Sequence, residues 1–153
     1  MKTLFNFFAR LSVLAALSAG LTLSSAQAEQ FVAFDNYEIH YNAFNSRFVT
    51  PKVAQANGLQ RSKRQAMVNV SVLKVEPDGQ KKAVAAFVSG TASNLLQQTQ
   101  TLAFKKIDEG KAIYYIGQFG FSDDMMVRID LQVQPDPNKA AYTLKLEQRF
   151  YAD

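Results

Sequence analysis

From Phe31 to the carboxyl terminus, apolar and polar residues alternate with period two, interrupted by clusters of Gly, Pro and Asp. This is the pattern of half-buried antiparallel strands joined by turns. It is clearest where Val127, Ile129, Leu131 and Val133 face one way while Arg128, Asp130, Gln132 and Gln134 face the other. Tyr142, Leu144, Leu146 and Phe150 repeat it, and Pro135-Asp136-Pro137-Asn138-Lys139 between the two runs predicts a hairpin with a long loop. Upstream, Val68, Val70 and Val72 define a strand that Pro77-Asp78-Gly79 turns into a partner over residues 83–89. Residues 97–107 read as one further strand, which Asp108-Glu109-Gly110 turns into a strand over 112–121. In Ile113-Tyr114-Tyr115-Ile116 both faces are apolar, which places that strand centrally in its sheet. Residues 31–45 read as a single long first strand.

One helix interrupts the strands. Thr50 can cap it, Pro51 suits its first turn, and Asn57-Gly58 supplies a left-handed residue to close it after about two turns. Seven strands joined mostly as hairpins, with one short helix, predict an all-β fold, an immunoglobulin-like antiparallel β-sandwich. A small antiparallel β-barrel is the alternative, because alternation defines strand faces and not sheet closure.

The amino-terminal residues follow a different rule. Lys2 and Arg10 form a positive segment ahead of an uncharged apolar run over residues 11–23, and Ala26-Gln27-Ala28 follows. This is the layout of a secretory signal peptide cleaved after Ala28. The apolar run is shorter than the roughly 20 residues that a spanning helix needs, so the chain is not expected to be an integral membrane protein. The expected organisation is a signal peptide over 1–28 and a single β-sandwich domain over 29–153. Lipid anchoring through cysteine is excluded, since the chain has none.

Composition narrows the chemistry. Of 153 residues, 17 are Lys or Arg, 13 are Asp or Glu, one is His and none is Cys or Trp. Disulfides and cysteine-based zinc sites are therefore impossible, and one histidine cannot build a multi-histidine metal centre within one chain. No cofactor is expected. The signal peptide carries two of the positive charges and no acid, so the mature excess is only +2. Export and so small a charge both argue against a nucleic-acid partner.

The candidate sites are few. His40 is the only group titrating near neutrality, and Glu38, His40 and Asn42 share one strand face. A hydrolase or lyase centred on His40 would need Ser46, Ser62 or Ser71 brought to it by the fold, and no G-x-S-x-G elbow is present. The plainer reading is a structural histidine hydrogen-bonded to a neighbouring loop. Arg61, Lys63 and Arg64 follow the helix and could together hold a carboxylate, phosphate or anionic headgroup, or simply form a solvated loop. Tyr114 and Ile116 oppose the face of Ile113, Tyr115, Phe119 and Phe121, which makes Tyr114 a candidate contact residue. Asp108-Glu109 and Asp123-Asp124 lack the spacing of a calcium loop and read as turns. Lys81-Lys82 and Lys105-Lys106 read as guards of exposed strand ends.

The run Tyr37-Glu38-Ile39-His40-Tyr41-Asn42-Ala43-Phe44-Asn45-Ser46, with Thr50-Pro51-Lys52-Val53-Ala54 and Gly58-Leu59-Gln60-Arg61-Ser62-Lys63, resembles the domain of unknown function family 4426 of exported bacterial proteins. Asn69-Val70-Ser71-Val72, Asn94-Leu95 and Gly110-Lys111-Ala112-Ile113-Tyr114-Tyr115 extend the resemblance over nearly the whole mature chain. It implies a periplasmic protein of a Gram-negative bacterium with a sandwich fold, and it brings no catalytic residue. The expectation is a non-catalytic periplasmic binding or assembly protein whose partner is an envelope protein, a peptide or an anionic ligand. Intact mass of the periplasmic protein tests the compartment: the expected mature chain begins at Glu29, whereas the full 17.0 kDa chain, or retention in membranes, would contradict export by cleavage.

Overall fold

The computed structural model describes residues 30–152, so the segment read as a signal peptide lies outside the described residues. Ten strands form two antiparallel sheets: β1 (Phe31–Phe34), β2 (Tyr37–Asn45), β3 (Gln65–Val75), β4 (Lys81–Ala83), β5 (Phe87–Asn94), β6 (Thr99–Leu102), β7 (Lys105–Asp108), β8 (Ile113–Gly120), β9 (Met125–Gln134) and β10 (Tyr142–Phe150). The first sheet runs β1-β2-β3-β8-β7, with β4 added to the far end of β3, and the second runs β10-β9-β5-β6. The sheets do not join edge to edge, so the fold is a sandwich and not a closed barrel.

Period two explains the core. Val68, Val70 and Val72 on β3 point inward with Ile39 on β2, and Val127, Ile129, Leu131 and Val133 on β9 meet them from the other sheet. Phe119 on β8 and Phe150 on β10 close one end edge to face, with ring centres 5.4 Å apart. As the doubly apolar sequence of β8 predicts, this strand is internal, between β3 and β7. Its outward Ile116 is buried, as is outward Met67 on β3, and neither belongs to the main core. The segment after β2 is tied over that outer face, where Gln118 and Gln60 exchange hydrogen bonds of 3.2 and 2.9 Å between side chain and backbone. That segment contains a 3-10 turn (Ser46–Phe48) and the helix α1 (Pro51–Asn57). The helix ends are those expected: the Thr50 hydroxyl accepts from the Val53 N–H at 3.3 Å, and Gly58 adopts a left-handed φ of 62°.

Three of the seven expected strands are each divided in two. Residues 31–45 form a β1–β2 hairpin because Asp35 takes a left-handed φ of 51°, which a short polar side chain tolerates. Residues 83–89 do not stay in one sheet: β4 ends at Ala83, and the chain crosses to β5 past the Tyr115 hydroxyl, which accepts from the Ala86 N–H at 2.9 Å. The run 97–107 likewise splits between sheets. Leu102 at the end of β6 is buried in the core, and two residues on, the Phe104 ring lies against Gly117 of β8, where a Cβ would meet it at 3.0 Å. In the run 97–107 Leu102 and Phe104 keep the alternation through the division, whereas at Asp35-Asn36 the inward phase shifts from Val32 and Phe34 to Tyr37 and Ile39.

Gly90 on β5 carries a sharper steric demand. A Cβ there would lie 2.6 Å from the Asp130 carbonyl oxygen and 2.9 Å from Leu131 Cδ2. Neither the β9 backbone nor a core leucine can yield, so Gly90→Ala is expected to destabilise the fold by about 1–3 kcal/mol. Urea unfolding checks this as a lowered midpoint at unchanged slope; an unchanged midpoint would contradict the close approach.

Candidate functional site

Among the described residues, β1 pairs along only part of β2, and the sandwich carries a groove beyond that part. β1 pairs with β2 only from Tyr37 to His40, extended by the Tyr41 N–H donating to the Gln30 carbonyl at 3.0 Å. Beyond that point Asn42, Ala43, Phe44 and Asn45 form one wall of a groove of about 720 Å³. The opposite wall is the end of β10, from Gln148 to Phe150, continued by Tyr151. β10 is an edge strand paired only with β9.

Arginines come to this groove from three separate places. Arg47 belongs to the 3-10 turn, Arg61 to the loop after α1, and Arg149 to β10, and among the described residues no carboxylate is in the lining. Arg61 is held in place by its own chemistry: Nε donates to the Val49 carbonyl at 2.6 Å and Nη2 to the Arg47 carbonyl at 3.3 Å. Those bonds fasten the 3-10 turn to the loop. The Ser46 hydroxyl reinforces them from a fully buried position, donating to the Ser62 carbonyl at 3.0 Å and accepting from its N–H at 2.9 Å. Across the groove, Arg149 Nη1 meets Asp124 Oδ1 at 2.8 Å. At the rim, Phe48 is 81% exposed and Tyr151 52%. The Asn45 side-chain amide spans the floor, donating to the carbonyls of Lys63 at 3.2 Å and Tyr151 at 3.5 Å.

The residues singled out from sequence divide between two places. Arg61 and Asn42 line the groove, whereas Lys63 and Arg64 are exposed outside its lining. The three-residue basic cluster thus has only one member in the groove, and the other two guanidinium groups, Arg47 and Arg149, were not legible as its partners. Their only signal was proximity to the strand ends, and nothing local says that those ends meet. His40 and Tyr114 lie elsewhere, on the outer face of the first sheet. His40 Nε2 is 3.3 Å from Glu38 Oε2, and its ring stacks on Phe31 with centres 5.1 Å apart. Glu38 Oε1 also pairs with Lys81 Nζ at 2.9 Å. Of the serines considered for His40, Ser46 is committed to Ser62, and Ser71 faces His40 across the β2–β3 register. Among the described residues no group of three or more His, Cys, Asp or Glu could hold a metal ion, and no helix is long and apolar enough to cross a membrane.

The comparisons with known proteins agree on the fold. The family model for a domain of unknown function, DUF4426, matches residues 31–153. A crystal structure of a DUF4426 family protein from Pseudomonas aeruginosa PAO1 shares 34% identity with a TM-score of 0.71, covering 84% of this chain and 98% of that one. FetP of uropathogenic Escherichia coli strain F11, produced in the periplasm of its expression host, is 12% identical with a TM-score of 0.56, over 80% of this chain and 93% of that one. A copper-bound variant of FetP gives 13% identity and a TM-score of 0.57, over 80% and 95% of the two chains. At these identities FetP speaks to the fold alone. No match was found among curated proteins.

The outer-face ion pair makes a pH prediction. The hydrogen bond from Lys81 holds the Glu38 carboxyl below its ordinary value of 4.5, His40 adds to this, and partial burial opposes it. A carboxyl lowered on folding contributes stability that is complete above its unfolded value and is lost as pH falls through the folded value. The stability advantage of wild type over Glu38→Gln should therefore shrink as pH drops below 4.5, as read by thermal unfolding. A pH-independent difference would contradict the ionised network.

Proposed function

The chain belongs to the DUF4426 family, whose function is unknown, and from its own geometry we propose that it is a non-catalytic periplasmic binding or assembly protein that takes a carboxylate-bearing ligand in the groove. The observation that carries this reading is the convergence of Arg47, Arg61 and Arg149 on a cavity whose lining, among the described residues, holds no carboxylate, Asp124 pairing with Arg149 from outside it. Guanidinium groups bind carboxylates through paired, charge-assisted hydrogen bonds, and the exposed rings of Phe48 and Tyr151 add apolar contact beside them. Periplasmic residence draws on the signal-like amino terminus. The order β2-β3-β8-β7 over β10-β9-β5-β6 supports an immunoglobulin-like sandwich, since it repeats the A-B-E-D and G-F-C arrangement with one added strand.

Two other chemistries fit less well. Copper is bound by the E. coli variant, but here His40, the chain's single histidine, is engaged with Glu38, and no three-residue His, Cys, Asp or Glu set surrounds it among the described residues. A hydrolase or lyase centred on His40 draws on the Glu38 contact and on Ser71 across the register. Against it, Glu38 is shared with Lys81 and the trio stands apart from the groove.

Titration with terephthalate, a rigid aromatic dicarboxylate, tests the binding reading. Backbone amide shifts should cluster at residues 42–48 and 148–151, weaken at high salt, and require about tenfold more ligand in Arg61→Gln, a change of about 1.4 kcal/mol. Lys63→Ser and Arg64→Ser should bind as wild type does. Shifts spread over the surface, or equal loss in all three variants, would contradict the groove.

A further inference from the structure

Outside the groove lining, one surface carries charge that the domain does not neutralise, and we propose that it docks the protein on a bilayer surface bearing anionic phospholipid headgroups. From Ile39 to Val75 the chain holds no Asp or Glu. Within that stretch residues 46–64 form a closed loop: Ser46 and Ser62 bond at its neck, Arg61 donates to the carbonyls of Val49 and Arg47, and α1 lies between. On the strands, cations are neutralised where they stand. Lys81 reaches Glu38 at 2.9 Å, Lys106 reaches Asp108 at 3.4 Å, Lys145 reaches Asp130 at 3.7 Å and Arg128 reaches Glu147 at 2.6 Å. Lys52, Lys63 and Arg64 are exposed and pair with no carboxylate among the described residues. Lys105 adds a fourth cation from β7, bonded to the Asn57 carbonyl at the end of α1 and not to an acid.

Beside these cations stand apolar side chains that the core does not use. Phe48 on the 3-10 turn is 81% exposed and Val53 on α1 48%. The Asn45 side-chain amide donates to the Lys63 carbonyl, which sets the Lys63-Arg64 stretch beside that turn, and Lys52 and Val53 follow the turn directly. An exposed ring among unpaired cations suits a bilayer interface: the ring and aliphatic carbon enter the headgroup boundary, and the long cationic side chains keep their charges at the phosphates. Either signal is weak alone, and the two together give reversible attachment. Charge complementarity selects an anionic surface over a neutral one. Dispersal selects a surface over a small anion, because Lys52, Lys63 and Arg64 line no part of the groove and do not converge there on one carboxylate. Docking is therefore independent of what the groove binds.

Vesicle flotation of the protein purified from the periplasm tests this. Wild type should float with mixed phosphatidylcholine and phosphatidylglycerol vesicles, not with phosphatidylcholine alone, and should come off at high salt. Each cation near an anionic surface strengthens attachment about fivefold, so Lys52→Ser, Lys63→Ser and Arg64→Ser together should weaken it about a hundredfold. Lys82→Ser, Lys106→Ser and Lys145→Ser together remove the same charge from paired, exposed sites and should weaken it less than about tenfold. Both triple variants should melt as wild type does. The chain has no Trp, so Phe48→Trp is a single reporter whose emission should shift to the blue on the mixed vesicles. No flotation of wild type, equal loss in the two triple variants, or unshifted emission would overturn the proposal. Tighter binding of soluble polyglutamate than of vesicles would assign the surface to an acidic protein and overturn the bilayer as occupant. Terephthalate should leave flotation unchanged; release of the protein by terephthalate would place the headgroups in the groove and overturn docking through the loop.

Discussion

Everything in this domain depends on the register of β3. It pairs with β2 on one side and with β8 and β4 on the other, and its inward residues Ala66, Val68, Val70 and Val72 are completely buried. Full burial of one such aliphatic side chain contributes about 1.5–3 kcal/mol, and the chain has no cysteine with which to supplement it. A slip of one residue would turn those valines outward and bury Asn69 and Ser71 in their place. The register is therefore held by the core, and every strand aligned on β3 inherits its position from it.

The groove follows from that alignment. Pairing with β3 carries β2 through to Asn45, whereas the turn at Asp35 and Asn36 leaves β1 with four residues against the nine of β2. At the turn end the two sheets are drawn together: Phe34 stacks on Tyr142, and the Tyr142 hydroxyl bonds to Asp35, which pushes the phenol up to about 12. At the other end the paired register of β1 stops at His40, and Asn42 to Asn45 line the groove together with Gln148 to Tyr151. Ser46 and Arg61 then hold the 3-10 turn beside this opening, so the basic rim is tied to the strand edge it surrounds.

Much of the scaffold was legible locally. The faces of β9 and β10, the turns at Pro77-Asp78-Gly79 and Asp108-Glu109-Gly110, and both ends of α1 follow from side-chain chemistry within a few residues. The division of residues 97–107 between two sheets was not legible, because Leu102 and Phe104 keep the alternation while the chain beneath them changes partners. Nor was the groove. Arg61 drew notice beside Lys63 and Arg64, its neighbours in sequence, whereas the arginines that share its groove are Arg47 and Arg149.

The sequence by itself determined which side of each strand is apolar, where the chain turns, how the helix begins and ends, and that no disulfide or cysteine metal site can exist. Tertiary structure alone decided which segments share a sheet, where the paired register of β1 ends, and which arginines line one groove. The physical reason is that strand faces and caps are written in side chains a few residues apart. Strand partners are chosen by backbone groups that every residue carries alike, through cores assembled from distant segments.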